Sequence, residues 1–478
     1  MLFNSPLFLL GFLPIFLIAY FVVPGIRLRN ILIVLFSTFF FAWGDPLFCG
    51  YVIAGTGIDY LIIKHVLCKR SASVKLRQIA LVAAVMINIC ALLFFKYANF
   101  FVDQFQPLLQ LVGMPTPSWY GVALPLGISF IAFHKISFVL DLYKQRISPP
   151  SSFIDALVYV LFFPQLIAGP IVRYYDIGHQ IRARSHSSDE FIAGFSRFTR
   201  GLAKKMLIAD PAGLIANAIF SLQPESLPTH YVWLGVLAYT IQIYFDFSGY
   251  SDMAIGLARI VGFKFPENFN QPYTARSVTE FWQRWHMTLS KWMLVYLYIP
   301  LGGNQVPQWR MYFNLWVVFL ISGFWHGAAW TFIFWGAYFG FFLMLEKFFD
   351  QRGWVIPLPN VFRQLLTFIV IMNSWVLFRS ESLEYATGMF GRMYGLTPQL
   401  QVATEPFALI FPPHGLAVIL LGLAIAVTPL SVMPKLPQKL KDSIMLDTAL
   451  WIISILLFVL SLSSILAAGS SSFLYFRF

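Results

Sequence analysis

Long apolar segments follow one another along this sequence from its first residues to its last, with only short polar connections between them. Each segment is close to the length of about 20 residues that an α-helix needs to cross the hydrocarbon core of a bilayer. Only 11% of the residues are charged, whereas soluble domains carry roughly 25%. The sequence therefore predicts an all-α polytopic membrane protein, with residues 1–478 in a single membrane domain.

The predicted spans are arranged so that alternate connections are basic. The first three are predicted at about Leu7 to Val23, Ile31 to Phe48 and Tyr51 to Leu67, and Lys and Arg follow the first and the third. The positive-inside rule places those two connections in the cytoplasm and the N-terminus outside. A basic connection from Lys435 to Lys441 precedes the last span, so the C-terminal tail, residues 468–478, is predicted to be extracytoplasmic. Further spans are predicted at about Ile79 to Phe95, Val122 to Leu140, Tyr231 to Phe247, Leu365 to Phe378, Gly415 to Pro429 and Thr448 to Ala467.

The net charge of +12 is divided into short groups of Lys and Arg between the apolar spans. That distribution is typical of membrane topology and argues against nucleic acid as a partner. The three cysteines, Cys49, Cys68 and Cys90, have neither metal-ligand nor CxxC spacing. Neither a disulfide framework nor a metal site is therefore expected.

Two stretches in the first half of the chain predict departures from simple spanning helices. Pro164, Gly169 and Pro170 interrupt the apolar stretch 153–170, which predicts either the wall of a wet cavity or a kinked helix. The basic stretch from Arg173 to Lys205 carries Phe and Leu at helical spacing. It predicts an amphipathic helix in the headgroup region, or one that faces an anionic substrate.

Two carboxylates, Asp246 and Asp252, lie in the otherwise apolar sequence YFDFSGYSDMAIGLARIVGF. Their spacing does not place them on one face of a helix, and no cluster of His or Cys near them suits a metal. Buried charges are normally paired. We expect both aspartates at helix termini, in buried hydrogen bonds.

His326 is the first candidate for chemistry, in the most aromatic stretch of the chain. It follows the apolar run from Leu315 to Trp325, and a titratable ring at membrane depth is costly unless it has a partner or faces a cavity. The alternative is a structural histidine that donates to a backbone carbonyl. Gly323 and Gly327 beside it leave room for a neighbouring helix or for a substrate chain.

His286 is the second candidate. Glu280 and Arg284 are spaced i,i+4 and are expected to pair on one helix face. Trp282 falls four residues before His286, on the same helical stripe. A structural role for His286 stays open beside a catalytic one, because polar groups in helices are often simply hydrogen-bonded.

The tail ends in FLYFRF after a Gly-Ser hinge. Aromatic side chains after such a hinge are expected to fold back into the protein or into the membrane interface. Tyr475 then either brings a hydroxyl to a cavity or serves as an interfacial anchor.

Together these stretches resemble the membrane-bound O-acyltransferase family, in particular its bacterial branch that acetylates alginate. One departure is that Met293 and Leu294 stand where family members often have an Arg-Asp pair. The resemblance covers nearly the whole chain and is carried by MLFNSPLFLLGFLPIFL, FPQLIAGPIVR, YFDFSGYSDMAIGLARIVGFKFPENFNQPY, EFWQRWHMTLSKWMLVYLYIPLGGN, SGFWHGAAWTFIFWG and FLYFRF.

The resemblance implies a fold of roughly 10–12 transmembrane helices, with re-entrant and amphipathic segments around a transmembrane tunnel. It implies no bound cofactor, but a cytoplasmic thioester donor such as acetyl-CoA. His326 would act as a general base, and His286 would polarise the thioester carbonyl or orient the donor. The acyl group would pass through Tyr475 to a serine of an extracytoplasmic partner similar to the SGNH hydrolases, and then to a polysaccharide.

The main hypothesis is therefore an inner-membrane O-acetyltransferase. A transporter with broken helices and buried histidines along its path is the alternative, although we find no internal repeat. A non-catalytic scaffold would leave both histidines without a task. The acceptor stays open among alginate, another exopolysaccharide, peptidoglycan and teichoic acid.

Overall fold

The computed structural model consists of helices and irregular connections, with no strand among the residues that it describes. The predicted all-α class is confirmed. The described residues are 1–69, 71–114, 118–354, 357–398, 415–429, 444–469 and 471–474.

The chain forms two compact units. The first combines Met1–Phe198 with Met253–Pro266, and the second combines Thr199–Asp252 with Glu267–Phe478. The unit boundaries fall in or just after two helices, Ser188–Ala203 and Thr229–Ile260.

The first unit is built from helices that overlap the predicted apolar segments. The span predicted from Ile31 to Phe48 is interrupted, because one helix ends at Ala42 and the next begins at Pro46. Several of the helices continue without interruption into a short π-helical stretch. The α-helices of this unit are Leu13–Val22, Ile26–Ala42, Pro46–Ile62, Val74–Leu92, Ala98–Leu111, Ile128–Tyr143, Phe153–Leu161, Phe163–Leu166 and Tyr174–Arg182, and the π-helical stretches are Leu7–Phe12, Ile63–Leu67 and Leu93–Tyr97.

Two differences from the predicted spans have local causes. The helix predicted from Val122 begins only at Ile128, because Gly127 takes a φ of 78° and the preceding residues are not helical. A side chain at Gly127 would also collide with the carbonyl oxygen of Leu166. In the segment 153–170 the helix breaks at Phe162, so the interruption expected there is confirmed as a break in the helix.

The second unit holds the remaining helices. Its α-helices, beside part of Thr229–Ile260, are Asp210–Phe220, Val278–Arg284, Met287–Met293, Gln308–His326, Trp330–Gln351, Asn360–Arg379, Leu383–Met393, Gly415–Val427 and Ile444–Ala468. Shorter π-helical or 3₁₀ stretches are Lys204–Ala209, Pro224–Ser226, Pro272–Thr274 and Leu294–Tyr298. The basic connection from Lys435 to Lys441 lies outside the described residues.

Within the described residues, five helices are long and apolar enough to cross a bilayer, and two shorter apolar helices accompany them. Together they make this a multi-pass membrane protein. The five are Pro46–Leu67, Val74–Leu111, Trp330–Gln351, Asn360–Arg379 and Met445–Ala467.

Glycines allow a close contact between two helices of the second unit. Helices Gln308–His326 and Trp330–Gln351 pack closely, and a Cβ on Gly323 would lie 3.1 Å from both Cα and N of Gly336. A side chain at Gly327 would collide with the ring of Phe332. Gly323 and Gly327 therefore serve contacts within the protein, which is the packing alternative of the sequence analysis.

Candidate active site

His326 is the last residue of the helix Gln308–His326, where the chain turns through Gly327 into the next helix. Its side chain is buried, with 4% of the residue exposed. The imidazole packs edge-on against Trp335 and Phe378, with ring centroids 5.0 and 5.4 Å away. The helix end thus places a titratable ring in an aromatic cage inside the second unit.

His286 lies at a helix break that the sequence analysis did not predict. The helix Val278–Arg284 ends two residues earlier, and His286, with φ 43° and ψ 52°, caps the helix Met287–Met293. This left-handed conformation is uncommon outside glycine, and it marks a residue that the surrounding structure constrains. The continuous helical stripe expected from Trp282 to His286 is therefore wrong.

The amide of Asn268 determines which nitrogen of the neutral His286 ring carries the proton. Oδ1 of Asn268 accepts hydrogen bonds from the backbone N–H and the hydroxyl of Thr288, at 3.3 and 2.8 Å. A backbone N–H can only donate, so this atom is an oxygen. Nδ1 of His286 lies 3.1 Å from the same oxygen and must therefore donate as well. Neutral His286 carries its proton on Nδ1 and its lone pair on Nε2.

The Asn268 side chain is itself held in place. Its Nδ2 donates to the hydroxyl of Ser251 at 3.0 Å, and Ser251 belongs to the long helix Thr229–Ile260. Asn268 and His286 are both fully buried. The ring is thus oriented by a polar network rather than by packing alone.

The two histidines are brought to one place by Trp325. Its ring centroid lies 4.9 Å from that of His326 and 6.3 Å from that of His286. Phe247 closes the other side of His286, with ring centroids 4.7 Å apart. The structure therefore joins the two predicted site residues in one buried aromatic cluster, whereas the sequence separates them by forty positions.

The short helix before His286 is fixed at both ends. Glu346 accepts hydrogen bonds from the backbone N–H groups of Val278 and Thr279, at 2.6 and 2.8 Å. This carboxylate satisfies N–H groups that the first turn of a helix leaves without a partner. At the other end Arg284 pairs with Glu280 at 2.6 Å, so the predicted i,i+4 pair is confirmed.

Asp246 and Asp252 do not lie at helix termini as expected, because the helix Thr229–Ile260 continues through both. Their expected pairing is confirmed. Asp246 forms an ion pair with Lys205 at 2.6 Å, and Asp252 forms one with Lys204 at 2.7 Å. Two carboxylates can stay inside a continuous helix because adjacent lysines neutralise them.

Part of the C-terminal tail folds back onto this unit, as the sequence analysis expected. Phe473 and Leu474 are buried, and the backbone N–H of Leu474 donates to Oδ2 of Asp246 at 2.9 Å. Tyr475, the candidate in the tail, lies outside the described residues.

Asn268 and Lys205 were missed as functional candidates by the sequence analysis. Asn268 is one of two asparagines in the sequence PENFNQPY, and an Asn among turn residues gives no sign of a histidine contact. Lys205 was one of several cations in a basic stretch. In the part of the chain that the structure describes, no group of three His, Cys, Asp or Glu side chains is arranged to hold a metal ion.

Comparison with known proteins gives matches over most of the chain. Residues 66–380 match the family model of the MBOAT, membrane-bound O-acyltransferase family. A probable alginate O-acetylase AlgI of Pseudomonas syringae pv. tomato is 43% identical over 396 residues, which cover 82% of this chain and 75% of that protein.

More distant relatives are named for other envelope polymers. A peptidoglycan O-acetyltransferase of Helicobacter pylori is 35% identical, over 83% of this chain and 80% of its own length. A teichoic acid D-alanyltransferase of Bacillus subtilis is 29% identical, over 47% of this chain and 60% of its own length.

Proposed function

Because the chain belongs to the membrane-bound O-acyltransferase family, we propose that this acyltransferase moves an acetyl group from a thioester donor toward an extracytoplasmic polysaccharide. The family and the enzyme class, both predicted from the sequence motifs, are confirmed. An alginate-like polymer is the favoured acceptor, since the relatives with 40–43% identity are named alginate O-acetylases.

The observation that carries the proposal is the meeting of His286 and His326 at the ring of Trp325. One aromatic ring shared by two buried imidazoles makes a water-poor site with two proton-accepting groups. An alcohol is a poor nucleophile until a positioned base removes its proton, and neutral imidazole suits that task near pH 7. The aromatic lining strengthens electrostatic interactions with a reacting thioester.

In this proposal His326 is the general base. It removes the proton from the attacking hydroxyl while the oxygen bonds to the acetyl carbon. The bond between that carbon and the donor sulfur then breaks, and the proton passes from His326 to the leaving thiolate. The products are an acetyl ester and the free thiol, so the step needs no further reactant.

The role proposed for His286 follows from its hydrogen bonds. Since its Nδ1–H donates to Asn268, the neutral ring has an acceptor at Nε2 and no second N–H. It can therefore accept a hydrogen bond from a hydroxyl but cannot donate to a carbonyl. Of the two roles considered from the sequence, orienting a reactant fits this tautomer and polarising the thioester carbonyl does not.

We also propose that the first acceptor is the hydroxyl of Tyr475. The acetyl group would then pass to a serine of an extracytoplasmic partner similar to the SGNH hydrolases, and from there to the polymer. The donor, acetyl-CoA, would enter from the cytoplasm. Both termini of the chain would lie on the extracytoplasmic side of the cytoplasmic membrane. The turn of the tail into the protein just before Tyr475 supports this relay.

The test is the release of free thiol when purified protein is mixed with acetyl-CoA without a partner. The wild type is expected to give a burst close to one thiol per chain, and His326→Ala none. His230→Ala is the matched control, because His230 is an exposed histidine of the same unit and should leave the burst unchanged. An undiminished burst in His326→Ala would remove the proposed base.

A further inference from the structure

The described end of the C-terminal tail lies against a cluster of three charges, here called the tail clamp. It is formed by the buried Lys205 and Asp246 and the partly exposed Asp210. Nζ of Lys205 lies 2.6 Å from Oδ1 of Asp246 and 2.8 Å from Oδ1 of Asp210. The side chains of Lys205 and Asp246 are each only 2% exposed. Charges at such depth require complete pairing and hydrogen bonding.

Backbone groups of the tail complete the hydrogen bonding of the tail clamp. The carbonyl oxygen of Ser472 accepts from Nζ of Lys205 at 3.2 Å. An ammonium group has three N–H bonds, and the two carboxylates and this carbonyl are acceptors for all three. Two residues later the N–H of Leu474 donates to Oδ2 of Asp246 at 2.9 Å. The tail thus donates to the anion and accepts from the cation.

Side chains of the tail add to this recognition. The Phe473 ring centroid lies 4.6 Å from Nζ of Lys205, which is within the range of a cation–π contact. The same ring packs edge-on against Tyr250, with centroids 5.0 Å apart. The hydroxyl of Ser471 donates to Oδ1 of Asp210 at 2.8 Å. Four consecutive tail residues are therefore bound through backbone, hydroxyl and aromatic contacts.

We propose that the tail clamp is a docking site for the C-terminal tail, and that Lys205 and Asp246 are positioning residues for acyl transfer. The clamp fixes the backbone up to Leu474, and the next residue in the chain is Tyr475. Fixing that backbone limits where the Tyr475 hydroxyl can reach and lowers the entropy lost on reaching the thioester. This inference rests on the relay through Tyr475 proposed above.

Two variants test the tail clamp, one in the charge cluster and one in the tail. Lys205→Met removes the buried cation, and Phe473→Ala removes the tail ring but leaves all three charges in place. Lys204→Met is the matched control, because the neighbouring Lys204 pairs with Asp252 at 2.7 Å instead. Lys205→Arg keeps the positive charge, so its tail should stay closer to the wild type in protection and labelling than that of Lys205→Met. If Lys205→Met does not give a monodisperse protein, Phe473→Ala carries the test.

The first readout is digestion of the purified full-length protein with carboxypeptidase, followed by intact mass. In the wild type and in Lys204→Met, trimming should stop before Leu474 and Phe473 are released. In Lys205→Met and Phe473→Ala, residues 474 and 473 should be released faster by about tenfold or more. Lys205→Met loses a buried hydrogen bond to a charged group, and Phe473→Ala loses the cation–π contact with Lys205. Equal protection in all four proteins would overturn the docking site.

The second readout is the amount of labelled acetyl on Tyr475 at an early, fixed time after acetyl-CoA is added. It should fall by about tenfold in Lys205→Met and Phe473→Ala, and should be unchanged in Lys204→Met. A variant whose tail is no longer protected from carboxypeptidase, but whose Tyr475 is labelled as in the wild type, would overturn the positioning role of Lys205 and Asp246. An unlabelled wild type would instead overturn the relay itself, while the protease result would still show whether the tail is held.

Discussion

Nδ1 of His286 lies 3.1 Å from the side-chain oxygen of Asn268, and this contact decides which face of the imidazole can act as a base. The same oxygen accepts from Thr288, so the amide is not free to rotate. The proposed role of His286 as an acceptor at Nε2 therefore depends on a residue eighteen positions earlier in the chain.

Asn268→Asp keeps an acceptor for Nδ1–H but replaces a neutral amide with a carboxylate. A negative charge beside the ring favours the imidazolium, which has no lone pair on Nε2. The rate of thiol release should therefore fall at pH 7 and recover as the pH is raised. The measurement is the pH–rate profile of the burst. A profile that keeps its wild-type position would show that the protonation of His286 does not matter.

His286→Asn separates the backbone role of this residue from its chemistry. Asn adopts the left-handed conformation seen at φ 43° more readily than most residues, so the fold should be kept. The rate of thiol release in the burst should nevertheless fall by about 10²-fold, which is the lower end of a general acid–base contribution. Size-exclusion profiles and melting temperatures in detergent check the fold. A variant with full activity would make His286 a purely structural residue.

Gly323→Ala tests the contact that places His326. Its Cβ would collide with the carbonyl oxygen of Phe332 and lie 3.1 Å from backbone atoms of Gly336, and backbone atoms cannot yield by a rotamer change. We expect a loss of about 1–3 kcal/mol in stability and a lower melting temperature. Gly340→Ala is the control on the partner helix, because its Cβ would meet only side-chain atoms at ordinary contact distance, the Trp316 ring at 3.4 Å and Cβ of Phe319 at 3.7 Å. Equal melting temperatures for the two variants would contradict this packing.

His186 gives the first unit a dependence on pH. Nη1 of Arg29 lies 3.2 Å from its Nδ1, and a guanidinium can only donate, so Nδ1 is unprotonated. Burial, and then the charges of Arg29 and Arg184, hold the pKa of His186 below its ordinary value. At pH values between the two pKa values, the unfolded chain binds the proton and the folded chain does not. The contribution of neutral His186 to the stability of the fold is therefore complete above the pKa that the ring has in the unfolded chain. It is lost as the pH falls through the lower pKa of the folded protein.

The corresponding measurement is the melting temperature in detergent between pH 8 and pH 5. The wild type should lose stability on the acidic side of about pH 6.5, the ordinary value for histidine. His186→Gln should lose less, because Gln can accept from Arg29 at any of these pH values. If the two proteins show the same acid sensitivity, another group is responsible.

The sequence was informative wherever the signal was local. Apolar runs predicted the helices, the i,i+4 spacing predicted the Glu280–Arg284 pair, and two histidines in aromatic surroundings proved to share one cluster. The resemblance to a family was carried by contiguous motifs. Each of these signals lies within a few helical turns, where spacing alone determines which side chains are neighbours.

What the sequence did not predict depends on contacts between distant residues. The run from Glu280 to Trp292 has the composition of one helix, yet it breaks at His286, where Asn268 binds both the ring and Thr288. The pairing of Lys205 with Asp246 joins residues forty-one positions apart. Buried polar partners of this kind follow from the tertiary fold, and helical periodicity carries no information about them.

The most direct test of the central claim is mass spectrometry of the intact C-terminal peptide. Purified wild type and His326→Ala are incubated with isotopically labelled acetyl-CoA, and the peptide containing Tyr475 is fragmented to locate the label. The account predicts a labelled acetyl group on Tyr475 in the wild type and a yield lower by about 10²–10⁴-fold in the variant. Equal labelling in both proteins would contradict the assignment of His326 as the base, and no label in either would contradict the relay through Tyr475.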